Sequence, residues 1–273
     1  MKAAEQLVEA VLDAPSLAEA RQILEAALPV GEFRQDLTIL MRDYAQSEAD
    51  IPRAWLLSAR MAPQATALGL HVHGRWLASA GDRVRSIALM QVAVIAYEWY
   101  GDTMGAGRVT ANLANELYRS GDQSQEALAA AAEAERLFRS SMAPAAEIAL
   151  CIGKTRMTVQ SVYADLQAWE RSFATVTSVK ELVATIPDPD APLRLLLADA
   201  EISSGMQLED LFDRFAEANE AYQRAEALLH TLSGELAADQ IRLSYFRLWL
   251  NRAILALRLG RHGDARLAFD QAD

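Results

Sequence analysis

One spacing recurs along this 273-residue chain: a small residue, usually a bulkier one four places on, and a small one three places after that. The C-terminal copy is Ala265, Phe269 and Ala272, preceded by Trp249, Ala253 and Ala256 and by a Leu259-Gly260 turn signal. Earlier copies are Ala218, Tyr222, Ala225, then Ser172, Val176, Val179, then Ala127, Ala131, Ala134. Before these stand Ser86, Met90, Ala93, then Ala54, Ser58, Met61, then Ala20, Leu24, Ala27. The first members lie 34, 32, 41, 45, 46 and 47 residues apart along the chain. Steps of four and three mark one face of an α-helix, and small residues there let a second helix approach closely. Gly81-Asp82 and Gly121-Asp122 open turns just before two of the copies, Trp169 marks a turn exit, and Ser16 with Glu19 has capping-box spacing.

Composition supports helix throughout. Ala (52) and Leu (37) make up a third of the chain, while Gly (13) and Pro (8) are scarce. Breaks are expected at Gly31, Pro52, Gly101, Pro144, Gly205 and Gly234. The strongest lies at Ile186-Pro187-Asp188-Pro189-Asp190-Ala191-Pro192, where three X-Pro steps disfavour helix. The helical pattern resumes at Leu193, so residues 1–273 are expected to form one repeat domain.

The pattern resembles the tetratricopeptide repeat (TPR), in a degenerate bacterial form with long repeats. That resemblance implies an all-α fold, a right-handed α-α superhelix of about seven helical hairpins. An irregular helical bundle, its Ala and Leu mimicking a repeat, is the alternative. The last unit stops at Asp273, one residue past its final small mark, so the chain is expected to be part of a longer protein or to have its end covered by a partner.

The bulk charge excludes some partners. A formal net charge of −11 repels phosphate backbones and anionic membrane surfaces, so neither nucleic acid nor membrane is expected. The longest apolar run, Ile87 to Tyr97, is too short to span a bilayer and contains Gln91. Glu5 and Glu9 interrupt any secretory signal, and the chain reads as cytoplasmic. The single cysteine, Cys151, sits in the apolar run Ile148 to Ile152 and is expected to be buried and inert. Trp55, Trp76, Trp99, Trp169 and Trp249 are expected to fill space between helices.

Catalytic chemistry is not expected. Gly153-Lys154-Thr155 resembles the end of a phosphate loop, but the required glycine five residues earlier is Ile148. Gly101, Gly105 and Gly107 follow no strand and are expected in an inter-helix loop. His71 and His73, two apart on a helix, point to different faces, and His230 and His262 stand alone, so no metal or cofactor is expected.

The tetratricopeptide resemblance also implies where a ligand binds. In that family the first helix of each hairpin lines the concave face, which places His71, Arg75, Arg108, Asn112, Asn115, Arg119 and Lys154 in the groove. Members that grip a peptide's terminal carboxylate carry a Lys/Asn set there. Asn112 and Lys154 match that set, whereas His71, Arg75 and Thr158 depart from it. The implied partner is a protein or peptide, acidic or extended. A second implied role is the sensor or regulatory arm of a larger effector, because such arrays resemble regions preceding caspase-like CHAT peptidase domains or helix-turn-helix regulators.

Overall fold

Residues 2–26 and 50–272 are described by a computed structural model, and every regular element among them is a helix. Ala27 and Gly31, and the side chains of Ala54 and Met61, lie outside the described part. The chain divides into two compact units, Met1–Met142 and Ala143–Asp273.

The first unit contains α1 (Lys2–Leu12), α2 (Leu17–Ala26), α3 (Asp50–Met61), α4 (Pro63–Ser79), α5 (Arg83–Tyr100), α6 (Thr103–Ser120) and α7 (Ser124–Ser140). From α3 onward each helix packs on the next in chain order, and α4 also touches α6. The turns are built as the Gly-Asp pairs require. Gly81, Gly101 and Gly121 have φ of 87°, 83° and 91°, the left-handed region that stops a helix. Asp82 and Asp102 then cap the following helices, accepting hydrogen bonds from the backbone N–H of Arg85 (3.2 Å) and Gly105 (2.8 Å). Ser16 accepts from the N–H of Glu19 at 3.2 Å in the same way.

The described small marks of this unit turn inward. Ala20, Ser86, Ala93, Ala127 and Ala134 are buried, and the hydroxyl of Ser86 donates to the carbonyl of Gly74 at 2.8 Å. Gly74 in turn lies beneath Met90, whose Cγ would be 3.1 Å from an added Cβ. Gly105 and Gly107 do not lie in a loop. Both are inside α6, where the rings of Tyr97 and Phe138 occupy the space a Cβ would need, so they serve close helix approach and only Gly101 makes the turn.

The second unit contains α8 (Ala145–Asp165), α9 (Trp169–Ala184), α10 (Ala191–Phe212), α11 (Phe215–Leu232), α12 (Ala238–Arg258) and α13 (His262–Ala272). Neighbours again pack in order, and α10 also touches both α8 and α12. The proline-rich segment joins α9 to α10: Asp188 takes φ 51°, and Asp190 caps α10 by accepting from the N–H of Leu193 at 3.0 Å. Ser172, Val176, Val179, Ala218, Tyr222, Ala225 and Ala265 are buried, but Phe269, the last bulky mark, is 41% exposed.

Two expected breaks lie inside helices. Pro52 is the third residue of α3, within the first turn where its missing N–H costs nothing. Gly205 is in the middle of α10, and the hairpin turns instead at Asp213, with φ 50°. Pro144 and Gly234 do stand between helices.

Helix α10 is the axis of the second unit, enclosed by four neighbours. Its apolar residues join one cluster with Val176, Val179 and Val183 of α9 and another with Tyr222, Leu229, Leu248 and Leu255. Enclosure on all sides also buries polar groups, among them Glu201, Ser203, Ser204, Gln207 and Glu209. Each finds a partner from a neighbouring helix. Gln207 donates to the Ser172 hydroxyl at 2.9 Å, Ser172 donates to the carbonyl of Gln160 at 3.1 Å, and Tyr222 donates to Glu209 at 3.1 Å.

None of the tryptophans is buried. Trp55, Trp76 and Trp169 are exposed, and Trp99 and Trp249 half-buried, under Arg60 at 5.2 Å and Arg252 at 4.9 Å. The close helix spacing set by Ala, Ser and Gly leaves no room inside for an indole. Cys151 is half-buried, because Ala149, Ile152 and Gly153 form the inward face of α8. Among the described residues no helix is long and apolar enough to cross a membrane.

Candidate functional site

In the first unit the groove-facing residues inferred from sequence occupy α4 and α6. Asn112 Nδ2 lies 2.8 Å from His71 Nε2. An amide N–H can only donate, so Nε2 is the acceptor and the imidazole proton is assigned to Nδ1. The ring of Tyr97 meets His71 edge-on, with centroids 6.3 Å apart. Burial pushes the imidazole below its ordinary value, and the charges of Arg75 and Arg108 push it further the same way. Burial and the charges of two exposed guanidinium groups together disfavour the protonated form of His71.

Asn115 and Arg119 serve a different centre. Both turn to Glu116, which is 4% exposed: Asn115 donates to Oε1 at 3.3 Å, and Arg119 lies 3.6 Å from the same atom. Arg83 approaches the other oxygen at 3.9 Å. The sequence reading passed over both Glu116 and Arg83. Neither spacing nor charge distinguishes a buried glutamate from a solvated one, and Arg83 is 33 residues away.

Lys154 belongs to the second unit, on the exposed side of α8. Beside it a cavity of about 390 Å³ opens between α8, α10 and α12. Leu150, Met157, Leu195, Leu196 and Leu236 make its wall, and Lys154, Asp199, Gln240 and Arg247 supply the polar groups. Asp199 Oδ1 accepts from the Ser244 hydroxyl at 2.7 Å and lies 3.8 Å from the Arg247 guanidinium. Burial raises the Asp199 carboxyl above its ordinary value, against the opposing pull of Ser244, Arg247 and Lys154. Only Lys154 of this constellation was anticipated. Asp199, Gln240 and Arg247 are 45 or more residues further on, and three helices must stack to bring them together.

Other openings surround Trp249. One of about 500 Å³ is lined by Trp249, Arg252, Leu259 and Leu267, and an adjoining one of about 550 Å³ shares Trp249. Arg252 there is already paired with Glu226 at 2.7 Å. Among the described residues no three His, Cys, Asp or Glu side chains converge as metal ligands.

No protein-family model matches the chain, and no curated protein is matched by it. The site therefore rests on its own geometry.

Proposed function

We propose that the chain is a tetratricopeptide-like helical repeat, a right-handed superhelix of about seven hairpins, acting as a binding scaffold for an acidic, extended peptide segment. Support for the repeat comes from packing. In α4 and α5 a glycine of the first helix lies under a bulky mark of the second, Gly74 under Met90, and in α10 and α11 Gly205 lies under Tyr222. The smallest residue faces the largest at the corresponding place of two hairpins, as a repeating unit demands.

The observation that carries the binding role is the His71–Asn112 pair between Arg75 and Arg108. The charges of Arg75 and Arg108 both act on the imidazole, so two guanidinium groups lie near the pair on a chain whose net charge is −11. Such a face attracts carboxylates, and Arg fixes them through paired N–H donors. The reading contains no catalytic step, and hydrolase assays on the chain are expected to be silent.

Fluorescence anisotropy with a labelled peptide of alternating Glu and Ser, against its Lys-Ser counterpart, tests the reading. The acidic peptide is expected to bind, more weakly as salt rises. Arg75→Glu with Arg108→Glu should weaken it by roughly tenfold or more. Equal binding of both peptides, or an unchanged affinity in the double variant, would contradict the proposal.

A second reading, the regulatory arm of a larger effector, draws on the last hairpin. Leu243 and Leu267 there are each 66% exposed, and Phe246, Leu257 and Phe269 are also exposed, apolar side chains that a further protein contact would cover.

A further inference from the structure

The cavity between α8, α10 and α12 has a composition that selects its ligand. We propose that it is a site for a small amphipathic carboxylate, the acid group held by Lys154 and Arg247 and the apolar body laid against Leu150, Met157, Leu195 and Leu236. The inference stands on the second unit and shares only Lys154 with the groove residues inferred from sequence.

Its size, about 390 Å³, lies in the range of small-ligand sites, roughly 300–1,000 Å³. Its wall is aliphatic, so most of a bound molecule must be apolar. The polar groups decide the rest. The lining carries two cations against one carboxylate. That carboxylate, Asp199, is already engaged by the Ser244 hydroxyl at 2.7 Å.

The cations are not engaged to the same degree. Among the described residues Lys154 closes no hydrogen bond and no ion pair. Arg247 makes two long approaches, 3.3 Å to the Ser203 hydroxyl and 3.8 Å to Asp199, leaving most of its five N–H donors for another acceptor. An amine would meet two like charges. A neutral apolar molecule would strip water from Lys154 and Arg247 without replacing it, a cost that an anionic head removes. A carboxylate satisfies both cations and leaves the Ser244–Asp199 bond in place.

A free medium-chain acid and a peptide ending in an apolar residue present the same chemistry, and separate probes distinguish them. The full chain is titrated calorimetrically with decanoate below its micellar range, decylamine and decanol, and with N-acetyl-Ala-Leu as acid and as amide. At least one of the two acids is expected to bind saturably. Its neutral or cationic analogues should bind roughly tenfold more weakly or not at all. Lys154→Gln, a change at an exposed side chain that leaves packing intact, should lower the acid's affinity by roughly tenfold, and Arg247→Gln by at least as much. Decanoate binding alone assigns a free acid, and binding of the acetylated acid alone assigns a peptide end. Binding of neither, equal binding of decanol, or an affinity unmoved by Lys154→Gln overturns the proposal. Arg75→Glu with Arg108→Glu lies in the first unit and should leave this titration unchanged, which separates the outcome from that of the acidic-peptide reading.

Discussion

The ring of Tyr222 covers Gly205 so closely that a Cβ on the glycine would sit 2.5 Å from Cε1. Tyr222 has no freedom to yield, being fully buried with its hydroxyl hydrogen-bonded to Glu209 at 3.1 Å. Gly205→Ala improves helix propensity by roughly 1 kcal/mol, but overpacking a tight core costs about 1–3 kcal/mol. The variant is expected to unfold at a lower urea concentration than the parent. Gly234→Ala, where an added Cβ meets nothing within 4 Å, should leave the midpoint unchanged or raise it.

Ser86 and Ser172 occupy the same small mark in different hairpins and are both fully buried, yet their removal should cost different amounts. Ser86 only donates to a backbone carbonyl, that of Gly74. Ser172 also accepts from the amides of Gln207 (2.9 Å) and Gln160 (3.3 Å), and Ser172→Ala strands both. Leaving buried donors unsatisfied costs about 1–3 kcal/mol, against about 0.5–1.5 kcal/mol for an ordinary hydrogen bond. Denaturation of the two alanine variants should therefore show the larger loss at residue 172. Equal losses would mean that the glutamine amides find other acceptors.

Glu209 and Asp199 of the second unit and His71 of the first should respond to acid in opposite senses. Glu209 and Asp199 are held above their ordinary carboxyl values, burial being the main cause in each. A raised carboxyl binds its proton more tightly in the folded state. Its contribution is full below the unfolded values, 4.5 and 3.8, and is lost as pH rises through the folded ones. His71 is lowered, so its contribution is full above 6.5 and is lost as pH falls through the folded value. Hydrogen exchange followed from about pH 7 down to the unfolded carboxyl value of 4.5 should show Glu209→Gln flattening a gain in the second unit on acidification. His71→Gln should flatten a loss in the first. Slopes unchanged by either substitution would contradict these assignments.

Much of the helical framework can be read from spacing alone, because Ala20, Ser86, Ala127, Ser172, Ala218 and Ala265 each mark a helix face that must be approached closely, and all are buried. Gly81, Gly101 and Gly121 read correctly as turns because only a left-handed residue ends those helices without strain. Gly105, Gly107 and Gly205 misled, since a glycine that admits a neighbour's ring looks the same in one dimension as one that ends a helix. The indoles were misplaced: none of the five is buried, and the large side chains inside are instead Tyr222, Phe138 and Met90. The sites were least legible. His71 and Asn112 are 41 residues apart and Lys154 and Arg247 are 93 apart, and nothing local to either residue announces the other.

The imidazole of His71 offers the most direct test of the binding role, because it reports the charge around it. Its titration can be followed by NMR in the free chain and with saturating Glu-Ser peptide. Burial is the larger cause of the lowering of His71, but an acidic segment seated against Arg75 and Arg108 offsets the part their charges add, so the pKa of His71 should rise on binding. A bound peptide that leaves His71 unmoved would contradict a binding face built on the His71–Asn112 pair.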